Sequence, residues 1–172
     1  FGAEDKFLNV FAQLQQLLPV IPLAGAHALF QPVWVEDVAK AVLQALHGEF
    51  QHSSIGQTYE AVGPDVFKLK QLVQLAGGYA GVNEGRGRPV IALPDAVARV
   101  QALLMELMPG EPVLSRDNMD SMKVPNVATG HFPGLSALGI TPAALSAIAP
   151  GYLGSRGLRS GLTLKRKTAG RF

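Results

Sequence analysis

The sequence predicts an α/β fold in which three short strands alternate with helices. Segments with apolar residues at helical spacing alternate along the chain with short extended runs, an order that favours parallel pairing of the strands. Among the 172 residues, 48% are apolar and 16% are charged, which is typical of one domain with a hydrophobic core. Three short strands are few for a parallel sheet, so we expect the sheet to be incomplete.

The helices are predicted from apolar spacing and from the residues at their ends. The clearest helix covers residues 36–47, where apolar residues recur at i, i+3, i+4, i+7, i+8 and i+11 from Val35. Glu36 and Asp37 lie in its first turn, where the helix dipole favours anions, and Gly48 is placed to end it. The other predicted helices cover residues 6–18, 68–77, 95–108 and 142–149, with a short stretch near 115–122.

The strands are predicted at residues 29–35, 58–62 and 89–93. Pro32 lies within the first of them and indicates an edge strand or a loop-like strand, because proline has no N–H for a neighbouring strand. Gly77 and Gly78 are predicted to stop the helix at residues 68–77 and to open a glycine-rich loop before the third strand.

Motifs that perform chemistry are missing from this sequence. The chain has no cysteine, which excludes disulfides and thiolate metal sites. The four histidines lack the spacing of metal-binding motifs. The glycine-rich stretch at residues 77–81 follows a helix rather than a strand, so it does not match the dinucleotide-binding fingerprint. We therefore predict no catalytic residue and no metal ligand in this chain.

The charges are distributed unevenly along the chain. Residues 156–172 carry 6 basic residues and no acidic residue, whereas residues 1–155 carry 9 basic and 13 acidic residues. We predict a flexible basic tail at residues 156–172, which either contacts an anionic surface or is a solvated terminus. No apolar run of about 18 uncharged residues is present. The expected location is cytoplasmic, with peripheral contact at the inner face of the membrane and no specific nucleic-acid partner.

Four motifs, taken in order, resemble those of the extended short-chain dehydrogenases/reductases. The opening Phe1-Gly2-Ala3-Glu4-Asp5 resembles the segment after their sixth strand, with Ala3 in place of the usual proline. Residues 30–39, with the sequence FQPVWVEDVA, resemble their strand-to-helix motif. Residues 58–64 and 150–154 are similar to bacterial members of the atypical branch that contains the NADPH-binding accessory subunit of respiratory complex I.

This resemblance implies a Rossmann-type parent protein that binds NAD or NADP. Residues 1–155 would be its C-terminal, substrate-side region, which contains a small and mostly helical subdomain. The glycine-rich fingerprint and any catalytic tyrosine–lysine pair would lie upstream of Phe1. We therefore expect this chain alone to be non-catalytic and to bind the dinucleotide weakly or not at all. Relatives often carry a phosphate-binding arginine where residues 28–30 stand here, which argues against a nucleotide-sugar substrate.

The resemblance also implies which residues approach the ligands. In the family, the loop that matches residues 1–5 lies beside the nicotinamide and the substrate. Phe1 and Gly2 are thus predicted to contact the cofactor. The predicted candidates for the substrate pocket are Glu4, Asp5, Gln31 and Trp34.

Each pocket candidate has a structural alternative. Glu4 and Asp5 would instead complement the dipole of the following helix. Gln31 would bind the backbone rather than a ligand, and Trp34 would pack in the core rather than line a cleft. Asp37 is expected to stabilise the start of its helix. The sequence leaves these alternatives open.

Two functions remain open at this point. In the first, the parent is an oxidoreductase, an epimerase or a dehydratase that acts on a small or quinone-like molecule. In the second, it is a dinucleotide-binding accessory or assembly factor of a membrane respiratory complex, without catalysis. The isolated chain is also expected to self-associate, because an incomplete sheet leaves strand edges unpaired and leaves Phe7, Phe11 and Val33 uncovered.

Overall fold

The computed structural model describes residues 1–47, 54–94, 96–97 and 120–154. In this part of the chain the helices are α1 (Lys6–Leu17), α2 (Val35–His47), α3 (Leu69–Tyr79) and α4 (Leu145–Leu153). The strands are β1 (Ile21–Leu23), β2 (Leu29–Phe30), β3 (Phe67–Lys68) and β4 (Val90–Ala92). Two 3₁₀ turns cover Val82–Gly85 and Leu135–Leu138. Most of the predicted helix at residues 95–108, most of the stretch near 115–122, Gly48 and the basic tail lie outside the described residues.

The described strands form two separate pairs in a mixed α/β arrangement. β1 and β4 are parallel, with Ile21 opposite Val90 and Leu23 opposite Ala92. β2 and β3 are antiparallel. Parallel pairing thus occurs in the first pair, although β1 was not among the predicted strands, and the expected parallel pairing is wrong for β2, whose partner β3 was not predicted either. The antiparallel pairing continues into α3, where Leu69 N–H donates to the Ala28 carbonyl oxygen at 2.8 Å. This bond satisfies a backbone donor that the first turn of a helix leaves without an internal partner.

Helix α3 contributes to two hydrophobic clusters through two of its faces. Leu72 and Ala76 pack in a cluster with buried residues of α1 and α4. Leu69 and Val73 pack in a second cluster with buried residues of β1 and β4. All four side chains are at most 1% exposed. The two residues of each pair are four positions apart and therefore lie on the same face of the helix. Helix α3 thus packs against both clusters and joins them.

The predicted end of α3 at Gly77 is wrong, because the helix passes through this residue to Tyr79. Gly77 lies against the carboxamide of fully buried Gln15, which a Cβ atom would overlap. The Gln15 carboxamide donates to the Val73 carbonyl oxygen and accepts from the Arg88 N–H at 2.6 Å. The glycine therefore permits close packing around a buried polar side chain whose hydrogen bonds are satisfied.

Helix α2 occurs where it was predicted, but much of its apolar stripe is exposed, which is unusual for an amphipathic helix. Its buried residues are Asp37 and Ala41. Val42, Leu43 and Leu46, which belong to the apolar stripe that predicts this helix, are between 53% and 60% exposed. An apolar surface of α2 is thus left uncovered by the described residues.

Two strand predictions are wrong in their extent. The strand expected at residues 29–35 ends at Phe30, and Val35 already begins α2. Residues 58–62 form no strand in the structure, but only an isolated bridge between Glu60 and Gly134. The strand expected at residues 89–93 is confirmed as β4.

Strand β1 was missed because Pro22 lies within it. Pro22 is exposed and stands at the centre of the three-residue strand, between buried Ile21 and Leu23. Among the described residues, β1 pairs only with β4, and the ladder bonds are made by Ile21 and Leu23. The nitrogen of Pro22 faces away from β4, so its missing N–H costs no ladder bond.

The last helix begins later and ends later than predicted. The Ala143 N–H donates to the Asp37 carboxylate at 2.7 Å, and Ala144, the residue before α4, has an extended backbone conformation. Helix α4 then continues through Pro150, although proline lacks the N–H for one helical hydrogen bond. Ala149, directly before the proline, and Leu153, three residues after it, are at most 2% exposed, so their burial stabilises this part of the helix.

The predicted self-association is not tested by the structure of a single chain. Phe7 is 39% exposed, whereas Phe11 and Val33 are partly buried within the chain. Phe7 contacts the Phe11 ring edge-on at 5.2 Å between centroids. Self-association stays a prediction, and of the three residues named for it, Phe7 is the most exposed.

Candidate functional site

The structure brings together the two segments that were predicted to line the ligand site. The Phe1 nitrogen donates to the Val33 carbonyl oxygen at 2.7 Å, and the Val35 N–H donates to the Phe1 carbonyl oxygen at 2.9 Å. This alternation is the hydrogen-bond pattern of a parallel strand pair. Gly2 is buried, and a Cβ atom there would lie 2.8 Å from Val35 Cγ1. A side chain at residue 2 would therefore force the Val35 side chain to shift, and glycine avoids this overlap between the opening loop and the start of α2.

Asp5 caps the N-terminus of helix α1, in agreement with the structural alternative given for this residue. Its Oδ1 accepts hydrogen bonds from the N–H groups of Leu8 at 2.6 Å and Asn9 at 3.4 Å. Its Oδ2 accepts from the Tyr152 hydroxyl at 2.9 Å and from the Gly2 N–H at 3.3 Å. The carboxylate thus joins the opening loop, the start of α1 and helix α4. Glu4, its neighbour, is exposed.

Tyr152 is a residue that the sequence did not single out as functional. Burial raises the pKa of its hydroxyl well above the ordinary value, and the hydrogen bond to Asp5 and the charge of Asp5 raise the pKa further. The hydroxyl is therefore protonated at neutral pH and donates to the carboxylate. The residues are 147 positions apart, which is why sequence spacing gave no signal for the pair.

Gln31 binds the backbone through both polar atoms of its side chain. Its Nε2 donates to the Gly63 carbonyl oxygen at 2.8 Å, and its Oε1 accepts from the Ala128 N–H at 2.9 Å. The Gln31 N–H itself donates to the Asn126 carbonyl oxygen at 3.0 Å. Of the two alternatives for Gln31, the structure supports the backbone partner, and the residue cross-links three segments.

Asp37 and Trp34 lie near each other at the start of α2. Asp37 is 2% exposed; besides the Ala143 N–H, its carboxylate binds the Lys40 ammonium at 3.2 Å. The Lys40 Nζ also lies 4.9 Å from the centroid of the Trp34 ring, a cation–π geometry. Trp34 is partly buried rather than enclosed in the core. Asp37 does more than favour the helix start, because it anchors the segment that leads into α4.

A cleft that the sequence did not predict lies where the parallel strands β1 and β4 end. It has a volume of about 380 Å³. Its polar side chains are His27, Asp120 and Lys123, and the Lys123 ammonium lies 2.5 Å from an Asp120 carboxylate oxygen. Its other lining residues are Gly25, Ala26, Ala28, Leu29, Ala92, Leu93, Met122 and Pro125. The cleft was missed together with β1, since the carboxyl ends of both strands define it.

Two further searches concern the described residues alone. Within residues 1–47, 54–94, 96–97 and 120–154, no three or more His, Asp or Glu side chains cluster in a way that suits a metal ion. Within the same part of the chain, every helix is too short or too polar to span a bilayer.

Comparison with known proteins identifies homologues of this chain. No family model matches the sequence. The chain is 33% identical over 147 residues to the rat protein named NADH dehydrogenase [ubiquinone] 1 alpha subcomplex subunit 9, mitochondrial, a match that covers 84% of this chain. It is 35% identical over 108 residues to the protein of the same name from Arabidopsis thaliana. The chain is a homologue of subunit 9. This homology confirms the resemblance to the branch of extended short-chain dehydrogenases that contains the complex I accessory subunit.

The match to subunit 9 covers only a part of the relatives. It spans 37% of the length of the rat protein and 25% of the Arabidopsis protein, with 62% of this chain aligned in the second case. The chain thus spans about a third of the length of the curated relatives that it matches. A subunit 9 protein from Dictyostelium discoideum is 26% identical over 124 residues.

Proposed function

We propose that this chain forms the substrate-side region, residues 1–155, of an accessory subunit of a membrane-bound respiratory complex, with a structural rather than a catalytic role. The observation that carries the proposal is that two candidate polar side chains, Asp5 and Gln31, and also Asp37 are used in internal hydrogen bonds, whereas the candidate Glu4 is exposed. Asp5, Gln31 and Asp37 each join distant segments through hydrogen bonds of 3.0 Å or less, to Tyr152, Ala128 and Ala143. A reactive group needs atoms available to a substrate, whereas these atoms hold the chain together.

The dinucleotide belongs to the proposed parent protein rather than to this chain alone. Phe1 and Gly2 fit poorly as hydrogen-bonding ligands of a cofactor, since the carbonyl of Phe1 and the N–H of Gly2 already bind Val35 and Asp5. A pyrophosphate site needs a glycine-rich turn between a strand and a helix. We propose that NAD or NADP, when bound, is held by such a turn elsewhere in the parent and meets this region through van der Waals contact with Phe1 and Gly2.

The proposed partner is the membrane complex itself. The relatives are named as subunits of mitochondrial NADH dehydrogenase. We propose peripheral association of the present chain with a related complex, with the basic tail of residues 156–172 in contact with the anionic membrane surface.

Affinity capture from detergent-solubilised membranes tests this role. The tagged chain, expressed in its own organism, should enrich NADH:quinone oxidoreductase activity and the core subunits of the complex. A matched control is the same chain with Asp37→Ala, which removes the anchor for Ala143 and should reduce the enrichment. Equal recovery of the complex with an unrelated tagged protein would refute the accessory role.

A second candidate function is favoured by the cleft beside β1 and β4. In that case the parent is an oxidoreductase, an epimerase or a dehydratase, and this region holds a small or quinone-like substrate. The catalytic residues would belong to the rest of the parent. Turnover of NAD(P)H by the complete parent protein, lost when the cleft is filled by Ala92→Phe, would favour this candidate over the structural role.

A further inference from the structure

The cleft at the ends of β1 and β4 has properties of a ligand site that the accessory role does not use. In open α/β sheets, ligands bind in crevices outside the carboxyl ends of parallel strands. The volume of about 380 Å³ lies at the lower end of the range for small-molecule sites. It equals the liquid volume of roughly thirteen water molecules, at about 30 Å³ each. Such a space suits one ring with short substituents rather than a dinucleotide.

The wall of the cleft is largely apolar and closely packed on one side. Alanine, leucine and proline side chains make up most of the lining. Met122 lies directly over Gly25, where a Cβ atom would come within 2.6 Å of the sulfur. Gly25 also has a φ of +62°, a conformation that other residues adopt only with strain. The unbranched thioether of Met122 adapts to ligands of varied shape.

The polar groups of the cleft indicate which ligand charge the cleft accepts. The Lys123 ammonium is already matched by the Asp120 carboxylate at 2.5 Å. An anionic ligand would compete with Asp120 and approach its negative charge. A neutral carbonyl oxygen accepts a hydrogen bond from another N–H of the same ammonium and leaves the ion pair intact. His27, which is exposed, offers a further ring N–H.

We propose that this cleft binds a small neutral molecule that has an apolar ring and a carbonyl oxygen, the class of aryl and cyclic ketones and quinone rings. The apolar wall receives the ring, and the Lys123 ammonium donates to the carbonyl oxygen. This proposal deepens the second candidate function by naming the ligand class of its cleft, and it is independent of the proposed attachment to a respiratory complex. Ligand binding to the purified chain tests the cleft itself, whereas turnover of NAD(P)H by the parent protein tests the catalytic role.

Three probes of similar size test the proposal on the purified 172-residue chain. Acetophenone has the ring and the carbonyl, ethylbenzene lacks the carbonyl, and benzoate carries a negative charge. Binding is followed through the ¹³C-labelled methyl group of Met122 by NMR. Acetophenone should bind saturably, and ethylbenzene should bind about fivefold more weakly, the effect of one hydrogen bond from a largely exposed ammonium group. Benzoate should bind more weakly than acetophenone. Absence of saturable binding, equal binding of ethylbenzene, or tightest binding of benzoate would each overturn the proposal.

Two variants with matched controls locate the site. Ala92→Phe fills the cleft and should abolish acetophenone binding, whereas Ile91→Phe should preserve it. Ile91 is the neighbouring residue of β4, is 57% exposed and lies outside the cleft lining. Lys123→Met should weaken acetophenone but not ethylbenzene, and the exposed Lys68→Met should change neither. Acetophenone affinity that Ala92→Phe and Lys123→Met leave unchanged would show that binding occurs elsewhere and refute the assignment.

Discussion

Replacing Tyr152 with phenylalanine removes one hydrogen bond and leaves the aromatic ring in place. The lost bond joins the Tyr152 hydroxyl to the Asp5 carboxylate at 2.9 Å. A hydrogen bond to a charged group contributes about 1.5–3 kcal/mol. Because both side chains are only partly buried, we expect a loss of about 1–2 kcal/mol in the free energy of unfolding, at the lower end of that contribution. For a domain of this size the thermal midpoint should fall by about 3–6 °C.

Asp5→Ala should cost more than Tyr152→Phe. It removes the same bond and also the cap of α1, where Asp5 accepts from the Leu8 N–H at 2.6 Å. Loss of an N-cap typically costs about 1 kcal/mol, so the total should reach about 2–3 kcal/mol. In the double variant the two losses should not add, because the hydroxyl–carboxylate bond is counted in both single variants.

Urea denaturation of the four proteins of this cycle measures the coupling. The matched control is Tyr79→Phe, because Tyr79 is also partly buried and packs against the same hydrophobic cluster. Additive losses for Asp5→Ala and Tyr152→Phe, or a loss for Tyr152→Phe no larger than that of Tyr79→Phe, would refute the reasoning.

The remaining predictions concern the pH dependence of stability, the hydrogen bonds of Gln31 and the basic tail. Because its folded pKa is raised, protonated Tyr152 stabilises the fold fully below an unfolded pKa of about 10, and this stability is lost as pH rises above it. Alkaline denaturation should therefore be less steep in Tyr152→Phe, and an unchanged profile would contradict the assignment. The pKa of Glu60 is lowered, chiefly by hydrogen bonds from the Thr129 hydroxyl and N–H, so its contribution is present above the unfolded pKa of about 4 and is lost at lower pH. Acid denaturation should thus be flatter in Glu60→Gln than in Glu84→Gln, and identical curves would argue against a role for Glu60. Gln31→Ala leaves the Gly63 carbonyl and the Ala128 N–H without a partner and should cost about 1–3 kcal/mol, with faster hydrogen exchange at Ala128. An Ala128 amide that exchanges no faster would show that Gln31 does not hold this segment. Deleting residues 156–172 should weaken binding to anionic vesicles, most clearly at low salt, while the thermal midpoint stays nearly unchanged. Equal vesicle binding with and without residues 156–172 would support the alternative that this tail is a solvated terminus.

The sequence by itself determined the local features of this protein. Periodic apolar residues predicted α1, α2 and α3 to within about two residues at each end, since helix formation depends on neighbours three and four positions apart. The four motifs at residues 1–5, 30–39, 58–64 and 150–154 together correctly predicted the relationship to subunit 9. These features depend on residues that are close together in the sequence, so they could be predicted without knowing what packs against them.

Tertiary structure alone decided what the polar side chains do. Asp5 binds Tyr152 and Asp37 binds Ala143, across 147 and 106 positions of the chain. Neither spacing has a local signature, because the partners meet only after the helices have packed. The same reason hid β1: its three residues gain their partner from β4, and Pro22 argues against a strand unless that partner is known. The cleft exists only where these two strands end side by side, so no reading of either segment alone predicts it.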